Sequence, residues 1–260
     1  MSFQTCEYSL APRQRGVSVP ADPPCGRVLL YLAGIGVNPS VAMIRTSTNG
    51  LVRTVAQMAH SFGYTAVFPH LNNPHPDTGM PVAVPFEQQA ARVADLLSTC
   101  REVRRMIIVG HSLGAISAAY AAAALEPKFS GRIQLVLIAP PTLGPVEHPL
   151  RLREYFLQDP TDSPDEIKLG CIDGSYIHVS PRYLRSMAKA SLATSLRSLP
   201  ARVHVTLIGV TGDRLYPDLG EYLRIENIRV PIQFIPGVSH SFRDPAMLRN
   251  LSRILEHVLV

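Results

Sequence analysis

Lysine is nearly absent from this sequence. Only Lys128, Lys168 and Lys189 occur, so the formal net charge of +5 is carried almost wholly by arginine. The arginines are scattered, with no long basic run and no interleaved aromatics. That excludes a nucleic-acid-binding stripe and leaves a solvated surface of mild positive sign. Cysteine is scarce too: Cys6, Cys25, Cys100 and Cys171 fit neither zinc-ligand spacing nor a small disulfide scaffold. Free thiols in a reducing compartment are expected. No apolar run reaches the length of a membrane span, and the N-terminal residues lack the basic and apolar segments of a secretory signal. The expectation is a cytoplasmic protein with neither membrane nor nucleic acid as partner. Glycine-rich phosphate loops, zinc patterns and dinucleotide fingerprints are missing as well, so no cofactor and no metal are expected.

Apolar side chains are plentiful by contrast. Hydrophobic residues make up 46% and charged residues 17% of 260 positions, enough for a large core in one domain, with or without an insertion. RVLLYLAGIG (27–36), YTAVF (64–68), RMIIVG (105–110), IQLVLIAPP (133–141), VHVTLIGV (203–210) and PIQFIPG (231–237) read as buried strands. Helical patterns separate them at 51–62, 86–100, 113–125, 219–226 and 245–259. A further edge strand is expected near 7–10, followed by a loop, and residues 69–81 read as a loop. Alternating apolar strands and helices predict an α/β fold, with a mostly parallel central sheet covered by helices on both faces. The alternation breaks from about 143 to 200, where prolines, an acidic run and a helical stretch, PRYLRSMAKASLATSL (181–196), suggest an inserted helical cap. The expected division is a core of 1–142 and 201–260 and a cap or lid at 143–200. No internal repeat is present.

The stretch VGHSLGAIS (109–117) carries the first chemical signal. Ser112 stands in the pattern Gly-x-Ser-x-Gly, directly after an apolar strand and before a small-residue helix. A serine hydroxyl is a weak nucleophile and needs a base, and the base needs an orienting partner. A sharp strand-to-helix turn exposes the serine, and small residues such as Gly110 and Gly114 must flank it. The helix that opens there offers free N–H groups to a developing negative charge. The plainer account of Ser112 is a helix N-cap without chemistry. Two later loops favour the chemical one. Asp213 follows the strand ending at Val210, and His240 follows the strand ending near Gly237. All three residues fall just after strand C-termini, the edge where ligands gather in open parallel sheets.

GHSLG (110–114), TGDRLYP (211–217) and GVSHSF (237–242) together resemble the α/β-hydrolase family, over most of the chain from about Arg27 onward. The resemblance implies Ser112 as nucleophile, His240 as general base and then acid, and Asp213 as its partner. It also implies an oxyanion hole made by two backbone N–H groups, those of Leu113 and of Ile35 in the loop LAGIG. Many family members have His-Gly in that loop; this chain has Ala33-Gly34, which leaves the backbone donor in place.

Other candidates carry weaker signals. His111 is expected to pack or hydrogen-bond within the turn, with a pocket role as the alternative. Tyr176 and His178 are candidates for the cap side of the pocket. His70 and His75 read as solvated loop residues, with a pocket-facing role that tunes specificity as the alternative. Asp218 is a rival to Asp213. Asp159, Asp162, Asp165 and Glu166 read as a solvated acidic face, since no calcium-loop spacing is present. The function expected is a serine hydrolase acting on a small-molecule acyl ester or thioester through an acyl-enzyme. An acyl carrier protein is a conceivable partner for a chain of positive charge. The alternatives are an acyltransferase or cyclase of a natural-product pathway, or a ligand-binding or non-covalent catalytic use of the fold. Haloalkane and epoxide chemistry would need a carboxylate where Ser112 stands.

Overall fold

The computed structural model describes the chain apart from residues 1–3, 12–13, 22–25, 36, 47–49, 75–76, 80, 99–102, 126–128, 130–131, 143–155, 161–166, 172–175, 214 and 217. Its centre is an eight-stranded sheet in the order β1-β2-β4-β3-β7-β8-β12-β13. These strands are β1 (Cys6–Ala11), β2 (Gln14–Val19), β3 (Arg27–Leu32), β4 (Thr65–Pro69), β7 (Arg105–His111), β8 (Arg132–Ile138), β12 (His204–Val210) and β13 (Ile232–Ile235). The six from β4 to β13 run parallel; β2 pairs antiparallel with β4, and β1 antiparallel with β2. The single edge strand and loop expected near the N-terminus are thus two strands of a hairpin. Gln14–Val19 lacks a continuous apolar run because it pairs near the sheet's edge.

The inner strands are apolar at successive positions because both faces are covered. In β3, Val28, Leu30 and Leu32 belong to one core cluster and Leu29 and Tyr31 to the other. The first cluster lies under α3 (Phe86–Ser98), α4 (Gly114–Leu125), α5 (Pro181–Lys189), α6 (Leu192–Arg197) and α7 (Leu219–Ile225). The second lies under α1 (Val41–Arg45), α2 (Gly50–Ser61) and α8 (Pro245–Leu259). Helix α4 is apolar all round and buried between α3 and the strands β7 and β8, which explains its run of alanines.

Residues 156–179 depart from the expected all-helical insertion. β9 (Phe156–Pro160), β10 (Ile167–Cys171) and β11 (Tyr176–Val179) form an antiparallel ladder. β11 then pairs in parallel with β6 (Pro81–Ala83), which pairs with the short β5 (Asn73–Pro74), giving a second sheet in the order β5-β6-β11-β10-β9. β5 and the start of β6 lie in the stretch read as loop; two- and three-residue strands leave no periodic signature. The rest of the described insertion is helical, as two helices. Ser191 accepts a hydrogen bond from the Thr194 N–H and starts a new helix, so 181–196 is not continuous. Ser186 joins this region to α3 by accepting from the Phe86 N–H at 3.2 Å and meeting Glu87 at 3.0 Å.

Two glycines let α4 sit on the sheet. A Cβ at Gly110 would lie 2.5 Å from the Gly114 carbonyl oxygen and 2.6 Å from Ala115 Cα, and one at Gly114 would run into the carbonyl oxygens of Leu32 and Ala33. Backbone cannot move aside as a side chain can. Gly110→Ala is therefore expected to lower unfolding free energy in urea by about 1–3 kcal/mol. Gly220→Ala in α7, whose Cβ would meet only the Phe234 ring at 3.5 Å, should be neutral or stabilising by up to about 1 kcal/mol. Equal losses in both would mean that the close approach of α4 is not what requires Gly110.

Candidate active site

Ser112 and Leu113 join β7 to α4, and the backbone of Ser112 is left-handed, with φ of 55°. Such a φ is costly for a residue with a side chain and persists only where the surroundings enforce it. Here its N–H donates to the Ile138 carbonyl at 2.9 Å and its carbonyl accepts from the Ala115 N–H at 2.9 Å. The loop after β3 passes directly over it: a Cβ at Gly34 would lie 3.3 Å from Ser112 Cβ and 3.7 Å from its Oγ. A small cavity sits between this loop and the start of α4, lined among others by Gly34, Ile35, Leu113, Ser117, Gln89 and Tyr183. Neither the Leu113 nor the Ile35 N–H donates a hydrogen bond among the described residues.

Asp213 and His240 are brought together from loops after β12 and β13. The two loops are stitched side by side, with the Gly212 N–H donating to the Gly237 carbonyl at 2.8 Å. His240 Nδ1 lies 2.7 Å from Asp213 Oδ2, with side-chain exposures of 10% and 2%. Asp213 Oδ1 accepts from the N–H groups of Leu215 at 2.9 Å and Tyr216 at 3.2 Å. Burial by itself raises the Asp213 pKa. The His240 hydrogen bond and charge, with the two N–H groups, outweigh it and hold the carboxyl below its ordinary value. An ionised Asp213 requires the proton of His240 on Nδ1, which leaves Nε2 as the basic nitrogen. That Nε2 is buried and has no hydrogen-bond partner among the described residues; Ser112 Oγ is not bonded to it. Asp218, the rival, is exposed at the start of α7 and makes no capping bond.

His111 links the serine turn to the histidine loop. Its Nε2 lies 2.9 Å from the His240 carbonyl oxygen, and the two rings are 5.2 Å apart. A carbonyl only accepts, so this nitrogen carries the proton. Burial first, then the charge that His240 can carry, push the His111 pKa from 6.5 down to about 3, against the opposing pull of the carbonyl and Asp213. On its other side the His240 ring meets Tyr216 edge-on at 5.2 Å. Sequence reasoning missed Tyr216. The signal was available: an aspartate accepting from the N–H groups two and three residues on is a recurrent turn, and it fixes where the third residue points.

The remaining candidates scatter. His178 is buried on β11, beside Lys168 and Val82 of the neighbouring strands. Tyr176 is on the same strand, its side chain outside the described residues, and Tyr183 of α5 lines the cavity instead. His70 Nε2 meets the Pro39 carbonyl at 2.8 Å and lines a larger groove that shares Val37 and Asn72 with the cavity. His75, Asp162, Asp165 and Glu166 lie outside the described residues. Among the described residues no group of three or more His, Cys, Asp or Glu side chains converges to hold a metal, and no helix is long and apolar enough to cross a membrane.

With this geometry in place, the chain's kinship follows from its sequence. Residues 59–249 match the Alpha/beta hydrolase family, and the chain belongs to that family. No curated protein matches it. Among solved structures, the esterase domain of a Rhodothermus marinus protein superposes with a TM-score of 0.67 at 15% identity, covering 99% of this chain and 98% of that one. Est1E from Butyrivibrio proteoclasticus, with ferulic acid bound, gives 0.66 at 14% identity over 99% and 94%. A monoacylglycerol lipase from Paleococcus ferrophilus gives 0.61 at 14% over 100% and 98%. At such identities the likeness is one of fold.

Because His111 is neutral in the fold and free to take a proton when unfolded, its contribution to stability is complete above about pH 6.5. It is lost as pH falls towards about 3. Asp213 acts in the same sense. The Tm of the wild type should therefore drop more steeply between pH 6.5 and 4 than that of His111→Gln, which keeps a donor but does not titrate. Parallel slopes would show that His111 takes up its proton without penalty.

Proposed function

We propose that the protein is a serine hydrolase of carboxylic esters, with Ser112 as nucleophile, His240 as general base and Asp213 as its orienting partner. The observation that carries this reading is the buried, unpartnered Nε2 of a histidine whose other nitrogen is held by Asp213. It belongs to a loop bonded, through His111, to the turn that strains Ser112. In the proposed cycle Nε2 takes the proton from Ser112 Oγ as the oxygen attacks the ester carbonyl. The N–H groups of Leu113 and Ile35 receive the oxyanion; neither is otherwise engaged among the described residues. His240 then returns the proton to the departing alkoxide, leaving an acyl-enzyme that water cleaves by the same steps. Likeness to an esterase domain and a lipase supports an ester as substrate. A bond between Ser112 and His240 that is open in the free enzyme and closes on substrate is common in such sites.

The groove beyond the cavity favours one variation. Arg15, His70 and Arg92 line it, and no acidic side chain among the described residues does. That supports an acyl substrate held as a thioester on an acidic carrier protein, the carrier's thiol being the leaving group. The expected result is faster cleavage of a carrier-bound thioester than of the same acyl group on a small thiol, with the advantage shrinking as salt rises. Equal rates would remove this reading and leave the esterase.

A fluorophosphonate probe tests the main proposal. It should label Ser112 in the wild type and fail to label Ser112→Ala or His240→Ala. Asp213→Asn should lower kcat by about 10⁴-fold with KM little changed, since the histidine loses its tautomer and not its pocket. Absence of labelling in folded wild type would favour a ligand-binding or non-covalent use of the same pocket.

A further inference from the structure

Three arginines stand side by side at the edge of the sheet opposite Ser112. Arg27 of β3 is in register with Arg105 of β7, and Arg105 with Arg132 of β8. Register partners on parallel strands share a face, so three like charges meet in one row, an arrangement that costs stability unless something neutralises it. Two of the three are neutralised by the fold. Arg27 and Arg105 lie over the Tyr64 ring at 5.8 and 5.9 Å, and Arg105 also donates to the carbonyls of Val260 at 2.8 Å and Val258 at 3.2 Å, at the negative end of α8.

Among the described residues Arg132 has no such partner. It borders an open cleft of about 600 Å³, within the range of small-molecule sites, together with Arg105, Arg229, His204 and His257. The side chains of Arg132, Arg229, His204 and His257 are exposed and make no hydrogen bond or ion pair among the described residues. Among the described residues no carboxylate lines the cleft; Glu256, next to His257 on α8, is not among its lining residues. Arg27 and Arg105 thus have a ring or a helix end to meet. Around the cleft four hydrogen-bonding groups, two of them permanent cations, border an open space instead.

We propose that this cleft binds a small phosphorylated ligand. A lone carboxylate is satisfied by the fork of one arginine, whereas two arginines and two imidazoles offer more donors and charge than it can accept. A phosphate or pyrophosphate has the oxygens and the charge to meet several of them at once. The site is separate from the reaction centre. Arg105 and His111 are the two ends of β7, so roughly 20 Å of strand lies between the cleft and Ser112.

The test is calorimetric titration of the whole chain with inorganic pyrophosphate at 150 mM salt, where diffuse surface attraction is screened. Saturable binding of one equivalent is expected, weakened by about tenfold or more in Arg132→Ala and in Arg229→Ala. Arg249→Ala, which removes an exposed arginine of α8 outside the cleft, should bind like the wild type. Absence of saturable binding at millimolar pyrophosphate would overturn the proposal. So would acetate binding as tightly as pyrophosphate, or Arg249→Ala weakening binding as much as Arg132→Ala does. None of these outcomes depends on Ser112 chemistry.

Discussion

The approach of α4 to the strands beneath it is the constraint on which the rest of the site depends. Backbone meets backbone there, because Gly110 and Gly114 carry no side chain to hold β7, α4 and the loop after β3 apart. With the strand and the helix so close, the chain between them has one tight path, and Ser112 takes a left-handed conformation to follow it. The same closeness brings Gly34 to the serine and leaves the Ile35 and Leu113 N–H groups beside one cavity. The strain at Ser112 is local, but it is maintained by two core clusters that cover both faces of the sheet.

Electrostatics in the site are arranged by burial and by a few directed bonds. Asp213 stays ionised because His240 and two backbone N–H groups overcome its desolvation. His111 stays neutral because nothing comparable compensates its own. Two histidines in ring contact therefore differ in role: one has a carboxylate partner and a free basic nitrogen, the other serves as a neutral hydrogen-bond donor to its neighbour's backbone. This division avoids placing two positive imidazoles side by side.

The two edges of the sheet carry different chemistry. At the C-terminal ends of the strands Asp213, His240 and His111 are held together by directed bonds between loops. At the N-terminal ends arginines accumulate, with no carboxylate among the described residues that line the cleft. A net charge of +5 spread evenly would carry no message, but part of it is gathered in register on adjacent strands. That clustering was invisible in the sequence, where Arg27, Arg105, Arg132 and Arg229 are far apart.

Local pattern was sufficient for the architecture of the core. Six apolar runs punctuated by glycine or proline became the six parallel strands, and α8 spans the residues that its periodicity indicated, because burial on both faces leaves an unambiguous pattern. The three loops that carry Ser112, Asp213 and His240 were legible for the same reason: each directly follows such a strand. Elements whose partners are distant in sequence were not. β2 is defined by pairing with β4, β6 by pairing with β11, and the strands of 156–179 by one another; none has an apolar run to announce it. The choice of Asp213 over Asp218, the neutral state of His111 and the placing of Tyr216 against His240 likewise depend on contacts between loops. Sequence determines which segments must be buried and where the chain must turn; only tertiary packing decides which polar side chains meet, since hydrogen bonds and desolvation act through space and not along the chain.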